Sequence, residues 1–394
     1  MRILLTANAS HVPPRGGATR SNLFWLHYMA AHGHACRVVA GDGHSALDAG
    51  PVEIYAVPQP ARHGAELRRH IREFQPDWVL VSSEDLGHAL LREAQNSAPG
   101  RVVYLAHTPQ FFPFGPASWN PDPNAAELVA RAAAVVAIGQ HTAAYIRRHT
   151  GRAPVVIHPP IYGSGPFPDL ASFDTGLVAM LNPCAVKGIS IFLALAERFP
   201  ACGFGALPGW GTTAADHARM AAHANIALLP GCRHIAEFLS RTRILLMPSL
   251  WYEGFGLTVM EAMLHGIPVI ASDAGGLVEA KMGTPFVLHA PSIERYTPVF
   301  DEHSLPEPVI EPVDLGPWED ALRALLTDRA LYERVSTASR AAALRFVSGL
   351  DAGCMPAFLQ SLEPGEAVRE RPTLANLSPQ RRALLLQMAR RRKS

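Results

Sequence analysis

The chain alternates short apolar runs rich in β-branched residues with longer stretches of helical period, and it does so twice. That order specifies the α/β class, because parallel strands need crossovers and the crossover helices bury both faces of the sheet. Strands are predicted at Arg2–Thr6, Ala35–Ala40, Trp78–Ser82, Val102–His107, Ala134–Ile138 and Val155–His158, with helices between them, notably Thr19–His32 and Glu66–Phe74. After a break, strands recur at Leu177–Leu181, Gly203–Leu207, Ile226–Leu228, Ile244–Met247, Pro268–Ala271 and Thr284–Leu288. The break is Pro159–Ser172, where four prolines and two glycines stop either kind of element. Two α/β domains, 1–160 and 173–345, are therefore expected to face each other across a cleft, with ligands beyond the carboxyl ends of their strands. The polar, proline-bearing stretch Ala290–Pro317 is predicted to be a long loop, and helices return at Trp318–Leu326 and Leu331–Phe346. Residues 346–363 are expected to form a helix packing back on the first domain, and 364–394 a linker and a basic helix opened by Ser378-Pro379.

Charge and cysteine usage narrow the function classes. Lys and Arg number 35 against 34 Asp and Glu, a net charge of +1, so binding to nucleic acid by bulk charge is excluded and an anionic ligand must be met by a local site. The five cysteines are odd in number and scattered, against both a disulfide framework and a cysteine zinc site. No 18 apolar residues run together, and after Met1-Arg2 the run Ile3-Leu4-Leu5 gives way at once to Asn8, Ser10 and His11. A cytoplasmic setting is expected. Neither H-E-x-x-H nor D-x-D occurs, so the expected site uses no metal and no resident cofactor.

The segment Trp251–Glu279, WYEGFGLTVMEAMLHGIPVIASDAGGLVE, carries the strongest chemical signal. Gly254 and Gly256 fall where strand turns to helix, leaving a ligand free to approach backbone N–H groups at the positive helix end. Glu253 and Glu261 are eight residues apart, on the order of 12 Å at the helical rise, a span that matches the polar ends of an extended nucleotide sugar. Either glutamate alone reads first as a solvated surface charge; the pair, set among apolar residues between two buried strands, weighs more towards a site.

This segment resembles the E-x7-E signature of retaining glycosyltransferases with the two-domain GT-B fold, family 4 in particular, and the resemblance extends over roughly residues 1–360. It implies two Rossmann-like domains, the first binding the acceptor and the second the nucleotide sugar. It also implies that Glu253 contacts the transferred sugar, that backbone from Gly254 through Phe255 and Gly256 to Leu257 meets sugar and diphosphate, and that Glu261 binds the ribose hydroxyls. Gly16-Gly17, between the first strand and the first helix, resembles the family's diglycine loop beside the donor phosphates, to which Arg20 adds either a charge or a solvated surface residue. Lys187, in LNPCAVKG, is placed to hold the diphosphate and stabilise the leaving group. The family commonly has an arginine five residues before this lysine. Here that position is Asn182, which leaves a neutral hydrogen bond from Asn182, or an approach by Arg241 or Arg243, as the alternatives. His107, ending the strand VVYLAH, resembles the histidine that family members place beside the reacting sugar.

The expected activity is therefore transfer of a sugar from a UDP- or GDP-type donor to a hydroxyl acceptor: a small natural product, a glycan or a carrier-bound sugar. A sugar phosphorylase or epimerase of the same fold and a non-catalytic carbohydrate-binding protein are the alternatives. The basic helix with Arg381, Arg382 and Arg390–Lys393 suits an anionic membrane surface. LSPQRRALLLQMARRR also resembles the short helices flanking condensation domains of peptide synthetases, which implies contact with such a synthetase instead.

Overall fold

A computed structural model describes residues 1–46, 50–232 and 234–364. The first sheet contains β1 (Arg2–Ala7), β2 (Ala35–Ala40), β3 (Val52–Ala56), β4 (Trp78–Ser82), β5 (Val102–Ala106), β6 (Ala134–Ala137) and β7 (Val155–Val156), in the order β3-β2-β1-β4-β5-β6-β7. All its pairings are parallel. The second contains β8 (Leu177–Leu181), β9 (Phe204–Leu207), β10 (Ile226–Leu228), β11 (Thr242–Met247), β12 (Val269–Ser272) and β13 (Val287–Leu288), in the order β10-β9-β8-β11-β12-β13, again all parallel. Every residue of β4, β5 and β6 is buried, as helices on both sheet faces require, and this is why those strands read as continuous apolar runs.

Each sheet reverses its strand order once, between β1 and β4 and between β8 and β11. Loops at such a reversal diverge and leave a crevice at the carboxyl edge. The loops after β1 and β4 carry Gly16-Gly17 and Glu84; those after β8 and β11 carry Lys187 and Glu253–Gly256. One cluster of buried side chains runs through both domains, from Leu5 and Trp25 to Phe255, Val259 and Met260. The final helices, Arg329–Ser348 and Cys354–Ser361, follow the second sheet, and Gly353 approaches Tyr28 of the first-domain helix Gly17–Ala31.

Two expectations are corrected. β3 was not foreseen, because VEIYA is a half-buried edge strand with one charged residue rather than an apolar run. Within Ala290–Pro317, read as loop, Tyr296–Phe300 and Pro306–Pro308 pair as an antiparallel hairpin with a register shift. Residues 157–176, spanning the break, contain no helix or strand. The basic segment Ser378–Ser394 and most of its linker lie outside the described residues.

Candidate active site

The second-domain half of the site begins where β8 ends. Asn182 adopts a left-handed backbone, φ 54°, which asparagine tolerates better than most residues. Its Oδ1 accepts the backbone N–H of Gly211 at 2.9 Å and its Nδ2 is buried without a partner, so the side chain is committed on one side to the neighbouring loop. A one-turn helix, Ala185–Lys187, then leads into Gly188 at φ 81°, where a Cβ would lie 2.0 Å from the carbonyl oxygen of Pro248. Only glycine lets the loops after β8 and β11 press together there, and the result brings Lys187 to Glu253. Lys187 Nζ lies 2.5 Å from Glu253 Oε1, the hydroxyl of Ser249 donates to the same oxygen at 2.5 Å, and the ammonium stands 4.0 Å from the centre of the Trp251 ring. Both charged side chains are close to nine-tenths buried, so an anionic ligand would meet this lysine in a poorly solvated setting, where charge acts strongly.

The turn after Glu253 is built for close approach. A Cβ on Gly254 would fall 2.1 Å from the carbonyl oxygen of His107, so glycine at this position is what allows the second-domain loop to touch the end of β5 in the first domain. The hydroxyl of Thr142, also from the first domain, donates to the carbonyl of Gly254 at 2.9 Å. Helix Leu257–Leu264 starts at Leu257, after Gly256 at φ 107°, and Leu257 faces Gly17 of the diglycine loop. The side chain of Phe255 is buried against Phe346 and His158, leaving only its backbone for a ligand. Because Glu253 precedes the helix, Glu261 sits one turn inside it rather than two turns from its mouth. Glu261 is 5% exposed: Oε1 accepts from Arg20 Nη2 at 2.8 Å across the cleft, and Oε2 has no partner. Burial raises its pKa, and the Arg20 guanidinium opposes that rise.

In the first domain, Gly16 and Gly17 open helix Gly17–Ala31, and the backbone N–H of Gly16 donates to the Thr19 hydroxyl at 3.1 Å. His107 lies just past β5, 2% exposed. The Asn22 amide donates to Ser82 Oγ at 3.2 Å, so Asn22 Oδ1 faces His107 Nε2 at 2.9 Å and that nitrogen carries the proton. His107 Nδ1 is left as a buried acceptor with no partner, and burial keeps the ring pKa below its ordinary value. Ser82 in turn donates to Glu84 at 2.5 Å, and Thr108 donates to the same carboxylate at 3.1 Å. His11, 1% exposed beside Glu84 and His107, is lowered to about 4 by burial and is neutral at neutral pH.

Of the sequence-predicted residues, the structure brings Lys187 to Glu253, Gly254 to His107 and Leu257 to Gly17, with Gly16, Phe255, Gly256 and Glu261 adjoining them along the chain, while Asn182 turns to the loop at Gly211. Arg241 and Arg243 do not join them. They lie at the amino end of β11, where the Arg243 guanidinium covers Phe173 and donates to the Leu326 carbonyl. Sequence reasoning missed Ser249, Asn22, Glu84 and His11, which no motif marks. It quoted Glu279 without assigning it a contact: its carboxylate meets His158 Nε2 at 2.7 Å and the backbone N–H of His141, at the first-domain helix Gln140–Thr150. Burial works against ionisation there, yet His158 and the N–H groups of Gln140 and His141 hold Glu279 below the usual carboxylate range. Among the described residues no three His, Cys, Asp or Glu side chains converge as a metal-binding group would.

Two family models match the chain: Glycosyltransferase Family 4 over residues 15–162 and Glycosyl transferases group 1 over residues 176–295, together about two thirds of its length. An uncharacterized 42.6 kDa protein of the cps region of Klebsiella pneumoniae is 28% identical over 123 residues, 31% of this chain and 31% of that protein, so the match spans less than a third of that relative. HepE of Anabaena, solved with UDP and glucose, superposes with a TM-score of 0.64 and 17% identity over 92% of this chain and 100% of its own. Sucrose-phosphate synthase of Thermosynechococcus elongatus superposes with a TM-score of 0.65 and 16% identity over 91% of this chain and 98% of its own. At these identities the likeness is one of fold. With each domain matched by its own glycosyltransferase model and the fold shared with these structures, the chain is a glycosyltransferase of the GT-B fold, its first domain matching family 4 and its second the group 1 transferases.

Proposed function

We propose that this glycosyltransferase is a retaining enzyme that moves a sugar from a nucleotide-diphosphate donor, of the UDP or GDP type, to a hydroxyl acceptor, without a metal ion. The observation that carries this reading is the pairing around one glycine turn: Glu253 with Lys187, Glu261 with Arg20, and Gly254–Leu257 between them at a helix N-terminus. Both carboxylates are buried and held, as groups that recognise hydroxyls must be, and the cation and free N–H groups between them suit a diphosphate. HepE, which shares the fold, was solved with UDP and glucose.

On this reading the nucleotide lies in the second domain and the acceptor enters from the first. Glu261 receives the ribose hydroxyls, Glu253 a hydroxyl of the transferred sugar, and His107 Nδ1 a second sugar hydroxyl. As the bond from the anomeric carbon to the phosphate oxygen breaks, Lys187 and the N–H groups at Leu257 stabilise the charge gathering on the phosphate. The acceptor oxygen forms its bond on the same face, and its proton passes to the departing phosphate oxygen. Contact between the domains at Gly254 and His107 keeps water from competing. Reaction of a donor panel with and without EDTA tests the proposal: release of nucleotide that depends on an alcohol acceptor and is unaffected by EDTA supports it. Release that requires inorganic phosphate points to a phosphorylase, and binding without turnover to a carbohydrate-binding protein.

A further inference from the structure

Glu261 is held by a residue of the other domain. Its helix belongs to the second sheet, yet its Oε1 is bonded at 2.8 Å to Arg20, in the first turn and a half of the first-domain helix that follows Gly16-Gly17. The two are 241 positions apart in sequence. The carboxylate is buried while the Arg20 side chain is 41% exposed, so the guanidinium reaches down from the open cleft onto a carboxylate below it. A third part of the chain closes the group: Tyr162, in the connection between the domains, has a buried hydroxyl without a partner and feels the charges of both Glu261 and Arg20. Glu261 Oε2 is likewise buried and unpartnered. Two orphaned polar oxygens beside one ion pair are what a site shaped for hydroxyl groups leaves when its own side chains do not satisfy one another.

We propose that Arg20 is a positioning residue for the donor: it keeps Glu261 ionised and fixed in orientation, so that nucleotide binding in the second domain depends on a residue supplied by the first. The inference rests on the reading of Glu261 as the ribose-binding carboxylate. Its physical basis is that a carboxylate removed from water loses its charge unless a partner holds it. The charged or titratable groups facing Glu261 are Arg20 from the first domain, His265 one turn along its own helix, and Tyr162 from the connection. Arg20 supplies the direct contact, a single charge-assisted bond from Nη2 to Oε1 held at the reach of its long, planar head group. The same bond ties the two domains at the place where the nucleotide enters, so a donor held by Glu261 is also held by the position of the first domain.

The test is calorimetric titration with UDP, GDP, ADP and dTDP, from pH 8 to 5, of the wild-type protein, Arg20→Gln, Arg20→Lys and Glu261→Gln, with melting temperatures recorded alongside. One diphosphate is expected to bind the wild type, and Glu261→Gln to weaken it roughly tenfold or more through loss of charge-assisted hydrogen bonds. Arg20→Gln is expected to weaken it by a similar factor at pH 7, and its affinity to fall on acidification at a higher pH than the wild type's, because Glu261 then takes up a proton more readily. Arg20→Lys is expected to keep the wild-type pH profile with reduced affinity. A loss in Glu261→Gln with wild-type affinity and pH profile in Arg20→Gln overturns the role of Arg20 and leaves that of Glu261 standing. Unchanged affinity in Glu261→Gln, or no binding to the folded wild type, overturns the ribose reading and the inference with it. If Arg20→Gln does not fold, Arg20→Lys decides: an acid limb displaced although the charge is retained contradicts the proposal.

Discussion

Lys187 Nζ lies 2.5 Å from Glu253 Oε1, against the face of Trp251, and the Ser249 hydroxyl reaches the same oxygen. Glu253 is thus oriented by two donors from two loops. Lys187→Ala should lower turnover at least tenfold, the equivalent of about 1.4 kcal/mol of leaving-group stabilisation. It should also lower the melting temperature by stranding a largely buried carboxylate, and Lys187→Met with Glu253→Gln should recover stability but not activity. Steady-state kinetics and thermal melts on the three proteins check this; wild-type turnover in Lys187→Ala removes the lysine from the reaction.

Gly254→Ala would set a methyl group 2.1 Å from the carbonyl oxygen of His107, backbone against backbone, at the seam of the domains. The expected outcome is a wider cleft, seen as a larger radius of gyration in small-angle scattering, with turnover lost and secondary structure intact. A variant with unchanged scattering and normal turnover would show that the seam at Gly254 is not needed for the reaction.

His11 is buried and lowered from 6.5 to about 4 by burial. The unfolded chain therefore binds more protons than the folded one between those values, and stability falls as pH drops from about 6.5 towards 4. His70, lowered to about 4 chiefly by burial, titrates over the same window. His11→Asn should flatten part of this slope in melting temperatures measured from pH 7 to 4.5; an unchanged slope would mean that His11 is charged in the folded protein.

The fold was legible where physics leaves a local trace. The strand Trp78–Ser82, buried on both faces, has no polar alternation to blur its ends and was read to the residue. The edge strand Val52–Ala56 and the proline-bearing hairpin after Arg295 were hidden because half-exposed strands keep charged residues and prolines. Glu253, Gly254 and Glu261 stood out because their spacing sets two charges about a glycine turn between apolar runs, and Lys187 because it follows the first strand of the second domain. What spacing could not supply was the partner of each charge. Arg20 read as either a loop charge or a solvated face until the fold set it on Glu261.

Lys281 is fully buried after helix Leu277–Ala280, its ammonium donating to the carbonyl of Val269 at 2.5 Å, and burial pushes it down to about 7. It lies outside the proposed reaction. Lys281→Met should raise the melting temperature, with a gain that grows as pH falls from about 10.5 towards 7, the window in which the unfolded chain holds a proton that the folded one has lost, and that levels off below 7. Destabilisation at every pH would mean that the bond to Val269 outweighs the burial of the charge.

The central claim is sugar transfer with retention from a nucleotide donor bound in the second domain. Proton NMR of the wild-type protein with UDP- and GDP-sugars and a simple alcohol acceptor, alongside Glu253→Gln, tests it most directly. The account predicts a glycoside with the anomeric configuration of its donor, formed together with free nucleoside diphosphate, and at least a tenfold loss in Glu253→Gln. An inverted product, or no release from any donor by the folded protein, would contradict it.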